Sequence, residues 1–114
     1  MKKVLLSISF LLLVAGISGW IWLRRFERGH LYHPVAEIAA TPAQHSLRYQ
    51  DVQFNAADGT PLAGWWIPAN SPRGTVVFCH GNAVNVGDVA VLAPEFFRRG
   101  FNLLLWDYRG YGAS

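Results

Sequence analysis

His80-Gly81-Asn82 stands where a β-branched apolar run, residues 75–79, stops abruptly, and Asp107-Tyr108-Arg109-Gly110-Tyr111-Gly112 stands where a second apolar run, residues 101–106, stops. Open α/β sheets place their ligands in the loops at the carboxyl ends of such strands. Gly81 lacks a Cβ, so the chain can turn sharply there and its backbone can approach a bound group closely. Asn82 offers a backbone N–H and a side-chain amide, donors of the kind that hold negative charge developing on a carbonyl under attack. A His-Gly pair by itself is common. At a strand end, before a stretch of helical length and 27 residues ahead of Asp107, it becomes considerably stronger.

The remaining candidates for chemistry are weaker. His30 and His33 are spaced i, i+3 but lack a third ligand in range, and His45 has no partner, so no metal site is expected. No motif implies a cofactor. Cys79 is the single cysteine, which excludes an intramolecular disulfide. Its place at the end of an apolar run predicts a small buried hydrophobe rather than a reactive thiol.

The elements that must position the two loops are legible. Residues 75–79 and 101–106 read as strands, and a helix between them completes the βαβ unit of a parallel sheet. Both runs are nearly continuously apolar, the pattern of strands covered on both faces. The helix is predicted over 87–99, with Asp88 near its positive end, Arg98-Arg99 near its negative end and Gly100 as a stop. Pro94 is expected to kink or interrupt it, and Val91, Leu92, Phe96 and Phe97 to form its sheet-facing stripe. Upstream, residues 47–55 and 62–67 read as strands of an antiparallel hairpin, joined through Asp58-Gly59, with a further turn at 68–72.

Residues 4–23 form a stretch of 20 without a charge. As a helix it is about 30 Å long, the thickness of a bilayer's hydrocarbon core. Lys2-Lys3 precede it, Arg24-Arg25 close it, and Trp20 and Trp22 fall near one end, where aromatic belts lie. The stretch exceeds the usual apolar core of a secretory signal and shows no clear A-x-A site, which favours an uncleaved anchor. Two Lys before the span and three Arg shortly after it (Arg24, Arg25, Arg28) leave the side of the membrane undecided.

The expected organisation is therefore a short basic head at 1–3, a transmembrane signal anchor at 4–23, a linker and domain entrance at 24–45, and a domain at 46–114. The expected partner is the lipid bilayer, through residues 4–23. Eight Arg face seven Asp plus Glu from Arg24 onward, with no basic stripe, so nucleic acid is not an expected partner.

Residues 31–114 resemble the N-terminal part of a membrane-anchored α/β-hydrolase of the serine-esterase or depalmitoylase-like branch. The resemblance rests on Leu31-Tyr32-His33-Pro34, Asp58-Gly59-Thr60-Pro61-Leu62, Trp65-Trp66-Ile67-Pro68, His80-Gly81-Asn82-Ala83 and the segment from Asp107 through Ser114, in the family's order. It implies an α/β fold, here an incomplete α/β-hydrolase fold (an N-terminal hairpin plus one βαβ unit) preceded by a transmembrane helix. It implies an oxyanion-hole loop at His80, Gly81 and Asn82, with the donor at Asn82. Asp107, Tyr108, Arg109 and Gly110 would form a mainly structural turn after the fourth strand. The implied chemistry is hydrolysis of carboxylic esters, thioesters or amides by a serine nucleophile.

One departure is large. The family's nucleophile lies in G-x-S-x-G after a fifth strand, followed by an acid and a histidine; the sequence contains no G-x-S-x-G. Gly112-Ala113-Ser114 comes too soon after the fourth strand to begin one. The chain alone is thus expected to lack the triad and to be inactive. The alternative is a non-enzymatic membrane-anchored interaction module, or a subunit completed by another chain. Without a fifth strand, residues 75–79 would form an exposed apolar edge, and residues 29–114 alone are expected to aggregate or stay molten.

Overall fold

The structure, a computed structural model, describes residues 2–114, which fall into two compact units meeting between His33 and Pro34. The first unit is a single helix, α1 (Lys2–His30, 29 residues), with no buried residue. An 18-residue window within it has a mean hydropathy of 2.3, so α1 is long and apolar enough to cross a membrane. The helix outruns the predicted 4–23 span, and the first residues of the expected linker are helical. Arg24, Arg25, Glu27 and Arg28 are good helix formers, and the Leu31 N–H still donates to the Glu27 carbonyl at 2.9 Å. His30 stacks on Phe26 at 4.2 Å between ring centroids, and its Nδ1 lies 3.0 Å from the Phe26 carbonyl.

The second unit holds a four-stranded sheet: β1 (Gln50–Asn55), β2 (Pro61–Ile67), β3 (Gly74–Cys79) and β4 (Phe101–Trp106), in the order β1-β2-β4-β3. β1 pairs antiparallel with β2, β2 antiparallel with β4, and β3 parallel with β4. The predicted hairpin and βαβ unit are both present. The hairpin turn has Gly59 at φ 83°, a left-handed conformation glycine adopts without strain, and the Asp58 carboxylate accepts from the Thr60 N–H at 3.1 Å. β1 starts later than predicted, at Gln50; Leu47 and Tyr49 approach it as part of the core's margin.

The crossover from β3 to β4 is a broken helix, as Pro94 foretold. It comprises α2 (Val86–Val89), a 3-10 turn at Ala90–Leu92, and α3 (Ala93–Arg98), with Pro94 in the first turn of α3, where its missing N–H costs nothing. The break also changes the buried stripe. Val86, Ala90 and Ala93 are the buried apolar side chains, packed on Trp65, Ile67, Leu103 and Leu105, with Phe96 and Phe97 at the margin. Val91 (61% exposed) and Leu92 (42%) point outward, contrary to expectation, because the 3-10 turn resets the helical phase assumed for a continuous helix.

This segment covers one face of the sheet only. Along β3, Val76 and Phe78 are half-buried, whereas Thr75, Val77 and Cys79 are exposed. The expectation of strands covered on both faces therefore fails for β3, and so does that of a buried Cys79, whose thiol is exposed and free. β3 is also an edge strand of this sheet, as expected.

The rest of the predicted linker belongs to the fold. Pro42, in a 3-10 turn at Pro42–His45, is buried, and Ile38 packs against the core. The Val35 carbonyl accepts from the Gly112 N–H at 2.8 Å. The folded unit thus begins near Pro34 rather than at 46.

Candidate functional site

Parallel pairing of β3 and β4 brings the two loops together. The last register pair is Cys79 with Trp106, so His80 and Asp107 leave the sheet side by side. Both side chains are buried, with His80 Nε2 3.2 Å from Asp107 Oδ1. That distance is within ion-pair reach, but the two groups are out of line for a hydrogen bond. The other imidazole nitrogen, Nδ1, lies 2.8 Å from the Gly81 carbonyl. Tyr108 and Tyr111 flank the ring, with centroids at 4.4 and 5.3 Å. His80 thus shapes its loop from beneath, through packing and contacts with Gly81 and Asp107.

Asp107 ties the β4 loop to the start of α2. Its Oδ1 accepts from the Val86 N–H at 2.8 Å, and the Ala113 N–H also bonds to it. Burial pushes this carboxyl above the usual aspartate range, opposed by those N–H groups and by His80. Gly112 closes over it at φ 50°, and a Cβ there would overlap the carboxylate. Ser114 completes the turn, its hydroxyl donating to the Asp107 carbonyl at 2.9 Å and accepting from the Ala63 N–H at 2.8 Å. Arg109 and Gly110 lie at the exposed rim, where Arg109 pairs with Asp58 at 2.5 Å and holds that carboxyl down to about 2.

The β3 loop is built differently. Gly81, Asn82 and Ala83 are exposed. The Asn82 amide oxygen accepts from the Tyr111 hydroxyl at 2.6 Å and from the Ala83 N–H at 3.0 Å. The left-handed residue of this loop is Ala83 (φ 60°), not Gly81, which has no positive φ. A Cβ on Gly81 would come no nearer than 3.9 Å to another atom, Val84 Cγ2. The fold of this chain does not require glycine there. The open space above residue 81 leaves the backbone approachable from outside, as an oxyanion donor loop needs.

Two further residues hold the loop in place, of which sequence reasoning passed over Asn85 and gave Tyr111 only a place in the turn. Asn85 is fully buried and caps α2, accepting from the Gly87 N–H at 2.8 Å, while its own N–H donates to Asp88 Oδ2 at 2.8 Å. Its amide also donates to the carbonyls of Val35 and Glu37, at 3.1 and 2.6 Å. The Asn-x-x-Asp spacing of a reciprocal cap was the available signal. Tyr111, 4% exposed, had none beyond its place in the turn. His30 and His33 lie outside this unit.

Residues 70–114 match the family described as serine aminopeptidase, S33. The uncharacterized protein YfhR of Escherichia coli (strain K12) is 40% identical over 70 residues, which cover 57% of this chain and 25% of YfhR. The alpha/beta hydrolase domain-containing protein WAV2 of Arabidopsis thaliana is 31% identical over 106 residues, 86% of this chain and 34% of WAV2. Among solved structures, the Pyrococcus furiosus esterase Pf2001 superposes with a TM-score of 0.61 at 28% identity, covering 73% of this chain and 32% of the esterase. The chain spans about a quarter to a third of the length of the curated relatives it matches.

Proposed function

We propose, from the premise that this chain is part of an α/β-hydrolase, that it supplies the oxyanion-binding front of a membrane-anchored serine hydrolase acting on carboxylic esters, thioesters or amides. The observation that carries this reading is the β3 loop. It lies at the carboxyl end of a parallel strand pair and is braced from below by His80, Tyr111 and Asn85. On its outer side it is open at Gly81. A carbonyl under attack develops negative charge that pre-set N–H groups at residues 81 and 82 can hold, worth about 2.7–4 kcal/mol of transition-state stabilisation for one good donor. Asp107, Tyr108, Arg109 and Gly110 set the height of that loop and take no part in bond making.

No G-x-S-x-G, the motif that holds the family's nucleophile, occurs in these 114 residues. The reaction therefore needs chain segments beyond those described, in the same polypeptide or in a companion. Helix α1 keeps the assembly at a lipid surface, close to acylated substrates.

The test is capture of the natural protein from its membrane fraction with an antibody against residues 46–114, followed by fluorophosphonate labelling and assay on short acyl esters and thioesters. A labelled polypeptide with hydrolytic activity, either the captured chain or one held by it, is the expected result. Efficient capture without label or hydrolysis would overturn the proposal in favour of a non-enzymatic interaction module.

A further inference from the structure

The two ends of α1 carry positive charge in different forms. At the first end stand Lys2 and Lys3, with no aromatic neighbour in sequence. At the other, Arg24, Arg25 and Arg28 fall within one arc of the helix of about 100°, since 3.6 residues make a turn. Trp20 and Ile21 complete this patch one turn below, and the five side chains line an open hollow of about 370 Å³. The Arg24 guanidinium lies 5.5 Å from the Trp20 ring centroid, an arrangement that holds the side chain in a defined direction. Among the described residues, no carboxylate lies within ion-pair distance of Arg24, Arg25 or Arg28. Glu27, the only acidic residue of the helix, stands three residues after Arg24 but forms no ion pair with it.

We infer that this patch is a binding site for the phosphate of an anionic phospholipid headgroup. The inference rests on the reading of α1 as a membrane anchor. Three guanidinium forks without a carboxylate partner present paired N–H donors that match phosphate oxygens. The patch closes a 20-residue uncharged stretch and sits beside Trp20 and Trp22, so a spanning helix places it at headgroup depth. A phosphate tethered to a lipid is already concentrated there, whereas a free anion must be drawn from solution. The Lys end attracts anionic lipid only as diffuse point charge.

The full chain, reconstituted in phosphatidylcholine vesicles, tests this through quenching of Trp20 and Trp22 by dibrominated lipids. Trp65, Trp66 and Trp106 belong to the folded unit, and a W20F, W22F variant measures their background. Brominated phosphatidylglycerol should quench in preference to brominated phosphatidylcholine by roughly fivefold in relative association, the effect of about one well-placed cation. The preference should vanish in the combined R24Q, R25Q and R28Q variant and persist in the K2Q and K3Q variant. Equal quenching by both lipids in the inserted parent chain, or a preference retained by the arginine variant, overturns the site. Loss of the preference in millimolar inorganic phosphate would show a free-anion site and overturn the lipid assignment. Failure of the chain to float with vesicles would sink the anchor reading itself, an outcome separate from a null quenching result.

Discussion

The loops that leave β3 and β4 lie side by side at one edge of the sheet, and their glycines do opposite work. In the β4 loop, Gly112 is required from within: its dihedrals are left-handed and its missing Cβ makes room for the Asp107 carboxylate. In the β3 loop, Gly81 meets nothing nearer than 3.9 Å, so nothing in this chain demands it. The first pattern is the signature of structure. The second leaves the outer side of the β3 loop open in this chain, which the proposed oxyanion role requires.

The sharpest way to break this comparison is a side chain at residue 112. Gly112→Val should destabilise the folded unit by about 3 kcal/mol or more, from overlap with Asp107 combined with backbone strain. Hydrogen exchange of the full chain in bilayers should then show protection lost across β4. Unchanged protection would mean the β4 loop is as free as its neighbour.

Asp107→Ala comes next, at about 2–4 kcal/mol, because it leaves buried N–H groups at Val86 and Ala113 without an acceptor. The residue also carries a pH signature. Burial raises its pKa above the ordinary 3.8, so the folded chain holds this proton more tightly than the unfolded chain does. Its stabilising contribution is full below pH 3.8 and is lost as pH rises through the elevated folded value. Asp107→Asn, neutral at every pH, should flatten that part of the stability profile, as followed by denaturant titration.

Asn85→Ala should cost about 1–2 kcal/mol through the lost helix cap, with faster exchange concentrated in α2 and around Val35 and Glu37, whose carbonyls it bonds. Smallest of all is Gly81→Ala, expected to change stability by less than about 0.5 kcal/mol. A bulkier Gly81→Val, placed in the complete hydrolytic assembly, should lower the rate roughly a hundredfold while leaving exchange protection unaltered. A large stability loss at Gly81 would erase the distinction between the loops.

Much of this was legible beforehand because the signals were local. The Asp58-Gly59 turn, the apolar runs that became β3 and β4, and Pro94's interruption of the crossover each depend on a few neighbouring residues. The errors were of another kind. Val91 and Leu92 were placed on the sheet by extrapolating a helical phase through a break, and Cys79 was buried on the assumption of a second covering layer. Residues 34–45 looked like a linker because Pro34 and Pro42 suggest one. Their carbonyls are nonetheless bound by Asn85 and Gly112, about 50 and 77 residues away in sequence, a pairing no local pattern announces.

By itself the sequence determined the apolar helix, the hairpin, the βαβ unit and the position of both loops, since periodicity and turn chemistry act over short distances. Only the tertiary structure decided how those loops divide their work. It set His80 beside Asp107, locked Tyr111 onto Asn82, and showed which glycine fills a need inside the fold and which faces open space. Those outcomes follow from the parallel register of β3 on β4, which brings residues 27 apart in the chain to within 3.2 Å.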